Sequence, residues 1–341
     1  MSTAKDVVKA LKKKAFNVSM LSDDDSPCVV KEWMSTGCAV LDAIIGEGIP
    51  IGRITEIYGD NSSGKSLIAS QIAAAAQEDG FVVAYVDTET AVSREMMEML
   101  GVNVDELLYY SPDTIEEVFD FFEHCVEEKS NISKDSPMLL IWDSVAATSA
   151  KFEMESDYGK ATMGRHAALI SQGLRKFTRI ISKEDVAMLL INQTRQKIGV
   201  MFGDDVTTFG GKAVSFHASV RVQLDVSKKI SIPAKRGKKV IGMNTRATVV
   251  KNKVSMPFRV ATLPIYFGHG IDDAGAAFHY LDDNDIIKTS GGWRLLDVNG
   301  KELKFHGSDW NKIYDENYDA ITDVIFDHAA QDTMSMENIS D

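Results

Sequence analysis

A phosphate-binding loop at residues 59–66 constrains the fold of this chain more than any other feature of its sequence. The segment GDNSSGKS fits the spacing G-x-x-x-x-G-K-[ST]. It follows RITEIY (53–58), which predicts a strand, and precedes LIASQIAAAAQ (67–77), which predicts a helix. Glycines let the backbone curl so that successive N–H groups point at phosphate oxygens, and the helix N-terminus adds positive potential. The pattern therefore predicts a binding site for a nucleoside triphosphate.

Two side chains of this motif and one distant carboxylate have distinct expected roles. Lys65 is expected to reach the β- and γ-phosphates, and the Ser66 hydroxyl to ligate Mg²⁺. Asp143 closes the apolar strand MLLIWDS (138–144), where a carboxylate meets the metal directly or through water. The predicted nucleotide-contacting residues are Gly59, Asp60, Asn61, Ser62, Ser63, Gly64, Lys65, Ser66, Leu67 and Asp143.

Hydrolysis also needs a group that orients and deprotonates water. Glu89 closes the strand FVVAYVDTE (81–89), and the strand ends of this kind of fold converge on the phosphates, so Glu89 is a candidate general base. A solvated Glu beside a helix start fits the pattern equally well. Gln193 closes another strand and precedes a long loop, which makes it a candidate sensor of the γ-phosphate; a purely structural Gln is the alternative.

Strands and helices alternate from residue 53 to about 226, which indicates an α/β fold with a mainly parallel sheet covered on both faces. Residues 218–266 then predict antiparallel strands that extend this sheet. The predicted strands are 53–58, 81–89, 106–111, 138–144 and 186–193, and the predicted helices are 5–16, 67–77, 93–100, 114–129 and 168–184.

Composition shifts divide the chain into four segments and two long loops. The predicted units are an N-terminal element and linker (1–30), an ATPase-type core (31–269), a small acidic α+β domain (270–330) and a tail (331–341). The loops 150–164 and 195–211 are long, polar and contain glycine, and loops of this length in compact domains are usually functional. Both follow strands at the carboxyl edge of the sheet, where such folds bind ligands.

Charge is distributed unevenly along the chain. The net charge is −13, yet residues 150–261 hold 21 Lys and Arg against 8 Asp and Glu. A basic centre between acidic flanks is typical of a site for an anionic polymer, although a solvated basic surface fits the charge pattern equally well. Three cysteines without metal spacing, and no apolar run long enough to cross a membrane, predict a cytoplasmic protein with no membrane partner.

Several longer segments resemble the bacterial and phage RecA recombinase family. They are STGCAVLDAIIG (35–46), IPIGRITEIYG (49–59), LLIWDSVAA (139–147), INQTRQKIGVMFGDDVTTFGGKAVSFHASVR (191–221) and VVKNKVSMPF (249–258). The phosphate loop is shared by many ATPases, whereas the combination KIGVMFG, TTFGGKA and KNK…PF is specific to this family. The similarity covers about residues 31–270 and continues more loosely towards the C-terminus.

The resemblance implies a RecA-like P-loop ATPase core, a short N-terminal helical element for polymerisation and a small C-terminal α+β domain. It implies an ATP-dependent DNA strand-exchange protein that uses Mg²⁺ and forms a helical filament on single-stranded DNA, with ATP between neighbouring subunits. Its partners would be single-stranded DNA, duplex DNA, further copies of itself, and single-strand-binding and mediator proteins.

The resemblance also assigns roles to residues outside the phosphate loop. Lys251 and Lys253 would reach the γ-phosphate of the neighbouring subunit, and Phe216 is a candidate interface residue. Met96 stands where the family has a Tyr that stacks on adenine. The residues that match the family's DNA-binding positions are Met163, Gly164, Arg175, Arg195, Lys197, Ile198, Phe202, Gly210, Gly211 and Lys212, with Lys228, Lys229 and Arg246 near a second site for duplex DNA.

Three functions share this core fold, so the fold alone does not separate them. A recombinase is favoured by the second long loop and by the KNK…PF strand. A hexameric helicase or helicase loader would be expected to carry an arginine finger where this chain has its lysine pair. A DNA-binding regulator without turnover is disfavoured because Lys65, Ser66, Glu89, Asp143 and Gln193 are all present.

Overall fold

The computed structural model describes residues 3–16, 18–23, 29–133, 135–155, 163–196, 206–235 and 237–331. Its helices are α1 (Thr3–Lys13), α2 (Ala39–Ile45), α3 (Lys65–Glu78), α4 (Arg94–Met99), α5 (Ile115–Ile132), α6 (Lys151–Met154), α7 (Met163–Ile181), α8 (Lys212–His217), α9 (Asp273–Asp283), α10 (Trp310–Glu316) and α11 (Tyr318–Gln331). Within these residues, no helix combines the length and the apolar character needed to cross a membrane.

The strands build one large sheet and two small ones. They are β1 (Trp33–Met34), β2 (Ile49–Pro50), β3 (Ile54–Gly59), β4 (Val82–Asp87), β5 (Leu108–Tyr110), β6 (Met138–Asp143), β7 (Val186–Gln196), β8 (Val206–Thr208), β9 (Val220–Pro233), β10 (Lys238–Asn252), β11 (Val260–Tyr266), β12 (Gly270–Ile271), β13 (Lys288–Ser290), β14 (Trp293–Val298) and β15 (Lys301–Phe305).

The large sheet confirms the predicted α/β architecture. Its strand order is β12-β11-β10-β9-β3-β7-β6-β4-β5, parallel from β9 to β5 and antiparallel from β9 to β12. Gly59 lies beside both Gln193 and Leu224, and Asp87 lies beside Asp143. The carboxyl ends of β3, β4, β6 and β7 therefore meet at one edge, which is the edge where such sheets bind ligands.

Hydrophobic packing covers the sheet on both faces, as expected for apolar parallel strands. On one face, α2 and α3 pack with Leu189 and Val222 and share their cluster with helices α9 to α11 of the C-terminal part. On the other face, α5 and α7 enclose Trp142, with Phe119 against its ring and Phe177 against Phe119. Trp142 has no exposed surface, so the strand that ends at Asp143 is anchored firmly.

Two helices enter the segment predicted as the first long loop, 150–164: α6 lies within it, and α7 begins at Met163 instead of at residue 168. Met163 and Gly164 therefore lie in the first turn of a helix. Arg165 of that turn stacks over Phe152 of α6 at 4.1 Å. This contact ties the start of α7 to α6. The start of α7 was not predicted because a Gly in the first turn is typical of a loop.

The second long loop also contains regular structure that the sequence analysis missed. Strand β7 continues to Gln196 and pairs antiparallel with β8, with Thr194 opposite Thr208 and Arg195 opposite Thr207. Threonine and valine favour pleated backbone, which explains this pairing. Within the segment predicted as the loop 195–211, residues 195–196 and 206–208 are therefore strands.

The C-terminal part forms a small antiparallel sheet of β13, β14 and β15 beside α10 and α11, as predicted for an α+β unit. Strand β12 still pairs with β11, so residues 270–271 continue the large sheet. Helix α1 lies near its predicted position and, along Thr3–Lys13, buries no residue.

Candidate ATP and DNA sites

The phosphate loop adopts the backbone that its glycines were expected to allow. Gly64 has φ +93° and precedes α3, and Ser62 also has a positive φ of 62°. A Cβ on Gly59 would lie 2.3 Å from the backbone oxygen of Leu224, so only glycine fits there. The first turn of α3 follows directly, with its N–H groups free of intrahelical partners. This is the geometry of an anion site at a helix N-terminus.

Lys65 is folded over this loop. Its Nζ donates to the backbone oxygens of Gly59 at 3.1 Å and Asp60 at 2.7 Å. Burial lowers the pKa of Lys65, while the carboxylates of Asp143 and Glu89 act in the opposite direction. The amine is therefore held by weak carbonyl acceptors beside negative charges, and phosphate oxygens are stronger acceptors for it.

A hydroxyl and a backbone N–H complete the polar lining of the loop. Among the described residues, the buried Ser63 Oγ has no hydrogen-bond partner. A buried polar atom without a partner is costly, and a phosphate oxygen or bound water would satisfy it. Leu67 packs its side chain into the hydrophobic core, which leaves its backbone N–H as the group available to a nucleotide.

The predicted metal-binding pair is assembled at the end of β6. Asp143 is 5% exposed and accepts a hydrogen bond from the Tyr85 hydroxyl at 2.8 Å. Burial raises the pKa of Asp143, and hydrogen bonds from Ser66 and Tyr85 oppose that increase. One carboxylate and one hydroxyl beside a phosphate loop fit Mg²⁺, which takes its other ligands from substrate phosphates and water. Groups of three or more acidic, His or Cys side chains able to hold a metal are absent from the described residues.

The candidate base and the candidate sensor are in direct contact. Glu89 lies two residues beyond β4, and its Oε1 accepts from Gln193 Nε2 at 3.1 Å. The same Oε1 accepts from Ser144 Oγ at 2.6 Å. Glu89 is exposed, whereas Ser144 is 1% exposed. Because Gln193 lies on β7, this contact links the predicted hydrolytic carboxylate to the strand that enters the second long loop.

A further contact joins the phosphate loop to the same strand. Thr194 directly follows Gln193 on β7, and its hydroxyl donates to the Asp60 carboxylate. Neither this pair nor the Ser144–Glu89 hydrogen bond was predicted from the sequence. A signal for Ser144 was present, since it directly follows Asp143 at a strand end. The Asp60–Thr194 pair had no such signal, because its members are separated by more than a hundred residues.

The two lysines of the KNK segment lie at the C-terminal end of α8. Lys251 Nζ donates to the backbone oxygens of Ser215 at 2.6 Å and Ala218 at 2.7 Å. Lys253 Nζ donates to the Phe216 oxygen at 3.4 Å and lies 5.8 Å from the Phe216 ring. Phe216 is 71% exposed, and its contact with a neighbouring subunit stays a prediction.

Burial lowers the pKa of Lys251 to about 8, and the neighbouring Lys253 and Arg221 contribute in the same direction. Both lysine amines thus face weak backbone acceptors and repel each other, and an anion close to them would relieve that repulsion. Both amines lie beside Phe216, which is exposed.

Outside the second site, the described residues that were predicted to bind DNA lie on α7, on β7 and around the start of α8. Arg175 lies on α7, and Arg195 on β7 stacks over the Phe209 ring at 3.8 Å. Gly210 has φ +78° and Gly211 has φ +59°, and α8 begins at Lys212. Lys197, Ile198 and Phe202 lie outside the described residues.

The predicted second DNA site lies on β9 and β10. Strand β3 pairs with β9 only as far as Leu224. From Asp225 onwards, β9 is mostly exposed and pairs with β10 alone among the described strands. Lys228 and Lys229 line a cleft of about 480 Å³ together with Lys238 of β10. Arg246 is opposite Asp225 across the strands, so a neighbouring carboxylate partly balances its charge.

Met96 lies on α4 with 37% of its surface exposed. Its backbone N–H donates to the Ser93 hydroxyl at 3.2 Å, which caps the helix. A thioether in this half-exposed position is able to cover the face of a base. Its contact with adenine stays a prediction.

Comparison with known proteins identifies the family. A family model of the RecA N-terminal domain matches residues 3–272. Protein RecA of Clostridioides difficile is 41% identical over 292 residues, which cover 85% of this chain and 80% of that protein. Protein RecA of Geobacter sulfurreducens is 44% identical over 259 residues, covering 76% of this chain and 74% of that protein. The chain that carries this phosphate loop, this lysine pair and these loop strands belongs to the RecA family.

Proposed function

We propose that this RecA-family chain is an ATP-dependent DNA recombinase that forms helical filaments on single-stranded DNA, pairs that strand with a homologous duplex and exchanges strands. Membership of the family supports DNA recombination and DNA-dependent ATP hydrolysis, and it disfavours the helicase alternative. The hydrogen bond from Gln193 to Glu89 is the observation that supports a coupling between ATP hydrolysis and DNA binding. It joins the hydrolytic site to a strand that leads to the DNA.

ATP is proposed to bind with its phosphates on the loop 59–66. Lys65 exchanges its carbonyl acceptors for the β- and γ-phosphates, and Ser66 with Asp143 holds Mg²⁺. When bound, that ion neutralises charge on the transferring phosphoryl group. The buried Ser63 hydroxyl and the backbone N–H groups at the start of α3 supply further donors.

Hydrolysis is proposed to use Glu89 as the general base. The oxygen of a water molecule bonds to the γ-phosphorus, its proton passes to the Glu89 carboxylate, and the bridging oxygen leaves with ADP. Gln193 then reports whether the γ-phosphate is present. With the phosphate bound, its amide turns to the phosphate and releases Glu89; after loss of phosphate, it returns to Glu89 and repositions β7 and β8.

Lys251 and Lys253 are proposed to act on ATP bound to the neighbouring subunit. Each amine leaves the backbone acceptors at the end of α8 and contacts the γ-phosphate, where it neutralises developing charge. Hydrolysis then depends on assembly, because a lone subunit lacks these two cations at its own phosphate. Phe216 lies beside both lysines and is proposed to contact the neighbour.

DNA is proposed to bind along the edge from α7 to the strands of the second loop. Glycines permit close approach of backbone N–H groups, basic side chains neutralise phosphates, and apolar side chains wedge between bases. Lys228, Lys229 and Arg246 would hold the duplex at a second site. Base pairing between DNA strands then supplies the sequence specificity.

The remaining parts of the chain are proposed to serve the filament. Residues 1–30 form the polymerisation element: α1 buries none of its own residues, so its apolar side is available to a neighbouring subunit. Residues 31–269 form the core and 270–330 the small C-terminal domain, followed by a tail. Single-strand-binding proteins and mediators remain proposed partners, and the cytoplasm the proposed location.

The coupling is tested with Gln193→Ala. We expect this variant to bind ATP with near wild-type affinity but to lose the difference in single-stranded DNA affinity between the ATP and ADP states. Fluorescence anisotropy of a labelled oligonucleotide, with a non-hydrolysed ATP analogue and with ADP, measures both affinities. A variant that keeps the wild-type ratio of the two affinities would exclude Gln193 as the coupling residue.

A further inference from the structure

Ser144 directly follows Asp143 and contacts the carboxylate that is proposed as the general base. Its hydroxyl donates to Glu89 Oε1 at 2.6 Å, which is shorter than the 3.1 Å hydrogen bond from Gln193 to the same oxygen. We propose that Ser144 is a positioning residue for ATP hydrolysis, which holds the Glu89 carboxylate in place while Gln193 changes partners. This inference rests on the proposed role of Glu89 as general base.

Ser144 is suited to positioning because its own backbone is fixed from two directions. Its oxygen accepts from the hydroxyls of Thr88 and Thr148, each at 2.9 Å. Its N–H donates to the same Thr88 hydroxyl at 3.1 Å. Thr148 is in turn the acceptor for the indole N–H of the fully buried Trp142 at 2.9 Å. The Ser144 hydroxyl therefore projects from a rigid point of the core.

Glu89, by contrast, needs an external hold. Its side chain is exposed, and the next residue, Thr90, adopts a positive φ of 51°. Among the described residues, both hydrogen bonds to the Glu89 carboxylate fall on Oε1. This leaves Oε2 as the oxygen that takes the proton of the attacking water. An exposed carboxylate without these donors would sample several rotamers and lose the alignment that general-base catalysis requires.

The two donors differ in what each is free to do. Gln193 is on β7, which pairs with β8 in the segment proposed to bind DNA. The Gln193 side chain is proposed to turn towards the γ-phosphate. Ser144 is 1% exposed and has no comparable freedom. When ATP is bound and Gln193 has left, Ser144 is thus the donor that remains on Oε1. The site keeps its base aligned at the moment when its sensor is occupied elsewhere.

The test is the DNA-stimulated ATP hydrolysis of Ser144→Ala, measured as kcat and KM. A hydrogen bond to a charged group contributes about 1.5–3 kcal/mol, so we expect kcat for DNA-stimulated hydrolysis to fall about 10- to 100-fold. The KM for ATP and the affinity for single-stranded DNA should stay near wild type. Ser144→Thr, which keeps a hydroxyl, should restore most of the rate.

A matched control separates this effect from the loss of any partly buried hydroxyl. Ser130 donates to the Val126 oxygen at 2.9 Å and to Glu184 at 3.1 Å, on a different face of the core. Ser130→Ala should lower the thermal midpoint of unfolding without changing kcat. If Ser144→Ala does not fold, Ser144→Cys, which keeps a weaker donor at the same position, is measured in the same way.

Either of two results would overturn the proposal. Unchanged kcat in Ser144→Ala would show that Glu89 is aligned without this donor, and a parallel loss of ATP affinity would make Ser144 a binding residue.

The outcomes also distinguish this inference from the function on which it rests. If Glu89→Gln keeps wild-type turnover, the assignment of the base is wrong. If Glu89→Gln loses turnover but Ser144→Ala does not, only the positioning role fails. If both roles are right, Ser144→Ala in the Glu89→Gln background should reduce the rate little further, since the two residues act as one unit.

Discussion

Replacement of Glu89 by Gln tests the hydrolytic site with the smallest change in shape. The amide of Gln keeps an oxygen that accepts from Ser144 and Gln193, so both neighbours retain their hydrogen bonds. What is lost is the ability to take a proton. The side chain is exposed, so no buried charge is created or removed and the fold should be unaffected.

The expected size of the effect follows from this geometry. General-base catalysis contributes about 10²- to 10⁴-fold, or about 3–5 kcal/mol in activation free energy. Lys65, Asp143 and the phosphate loop remain in place in the variant and continue to stabilise charge. We therefore expect the lower half of that range, a fall in kcat of about 100- to 1,000-fold, with ATP affinity within about threefold of wild type.

The assay is phosphate release stimulated by single-stranded DNA, with filament lifetime followed in parallel by anisotropy. Without turnover, filaments formed with ATP should persist, as they would with a non-hydrolysed analogue. Glu302→Gln is a matched control, because Glu302 is exposed on β15 and the same chemical change there should have no effect. Turnover within threefold of wild type in Glu89→Gln would refute the reasoning.

Three further predictions concern the loop, the lysine pair and the second DNA site. Gly59→Ala should lower the thermal midpoint and abolish ATP binding, because the new Cβ would lie 2.3 Å from a backbone oxygen; an unchanged melting curve would contradict this. The pKa of Lys251 is about 8 in the single subunit, and an adjacent phosphate would favour the charged amine; Lys251→Arg, which keeps a positive charge, should therefore retain more DNA-stimulated hydrolysis than Lys251→Ala, and equal rates in the two variants would exclude a charged role. Lys228→Ala with Lys229→Ala should reduce the slope of log affinity against log salt by about 2 for duplex DNA, and leave that for single-stranded DNA unchanged.

The same depressed pKa has a consequence for stability, because Lys251 binds its proton more weakly in the folded chain than in the unfolded one. Between about pH 8 and its ordinary pKa, the unfolded chain binds more protons, so this group makes stability rise with pH in that window. Thermal melts of wild type and Lys251→Ala across the window measure the contribution.

Most of the nucleotide site could be predicted because its signals are local in sequence. The loop at 59–66 follows a predicted strand and combines glycine, Lys and Ser in one stretch, and Asp143 follows five apolar residues of a single strand. Glu89 and Gln193 were predicted from a more general rule, that parallel strand ends converge. Their direct contact confirms that both lie at the same place, whereas their catalytic roles remain predictions.

What the sequence did not disclose depends on contacts between distant segments. Ser144 meets Glu89 because β4 and β6 pair with Asp87 beside Asp143, and nothing in either strand specifies that alignment alone. Lys251 bonds to the end of α8 because β10 and β9 bring these segments together. The start of α7 at Met163 was missed because a Gly in the first turn is typical of a loop.

Strand exchange between circular single-stranded DNA and a linear duplex, with ATP and Mg²⁺, tests the central claim most directly. The account predicts joint molecules that require both ATP and homology, with none formed from a non-homologous duplex or by Lys65→Ala. Unwinding that ignores homology would contradict the account and favour a translocating motor, and DNA binding without any exchange or ATP turnover would indicate a regulator.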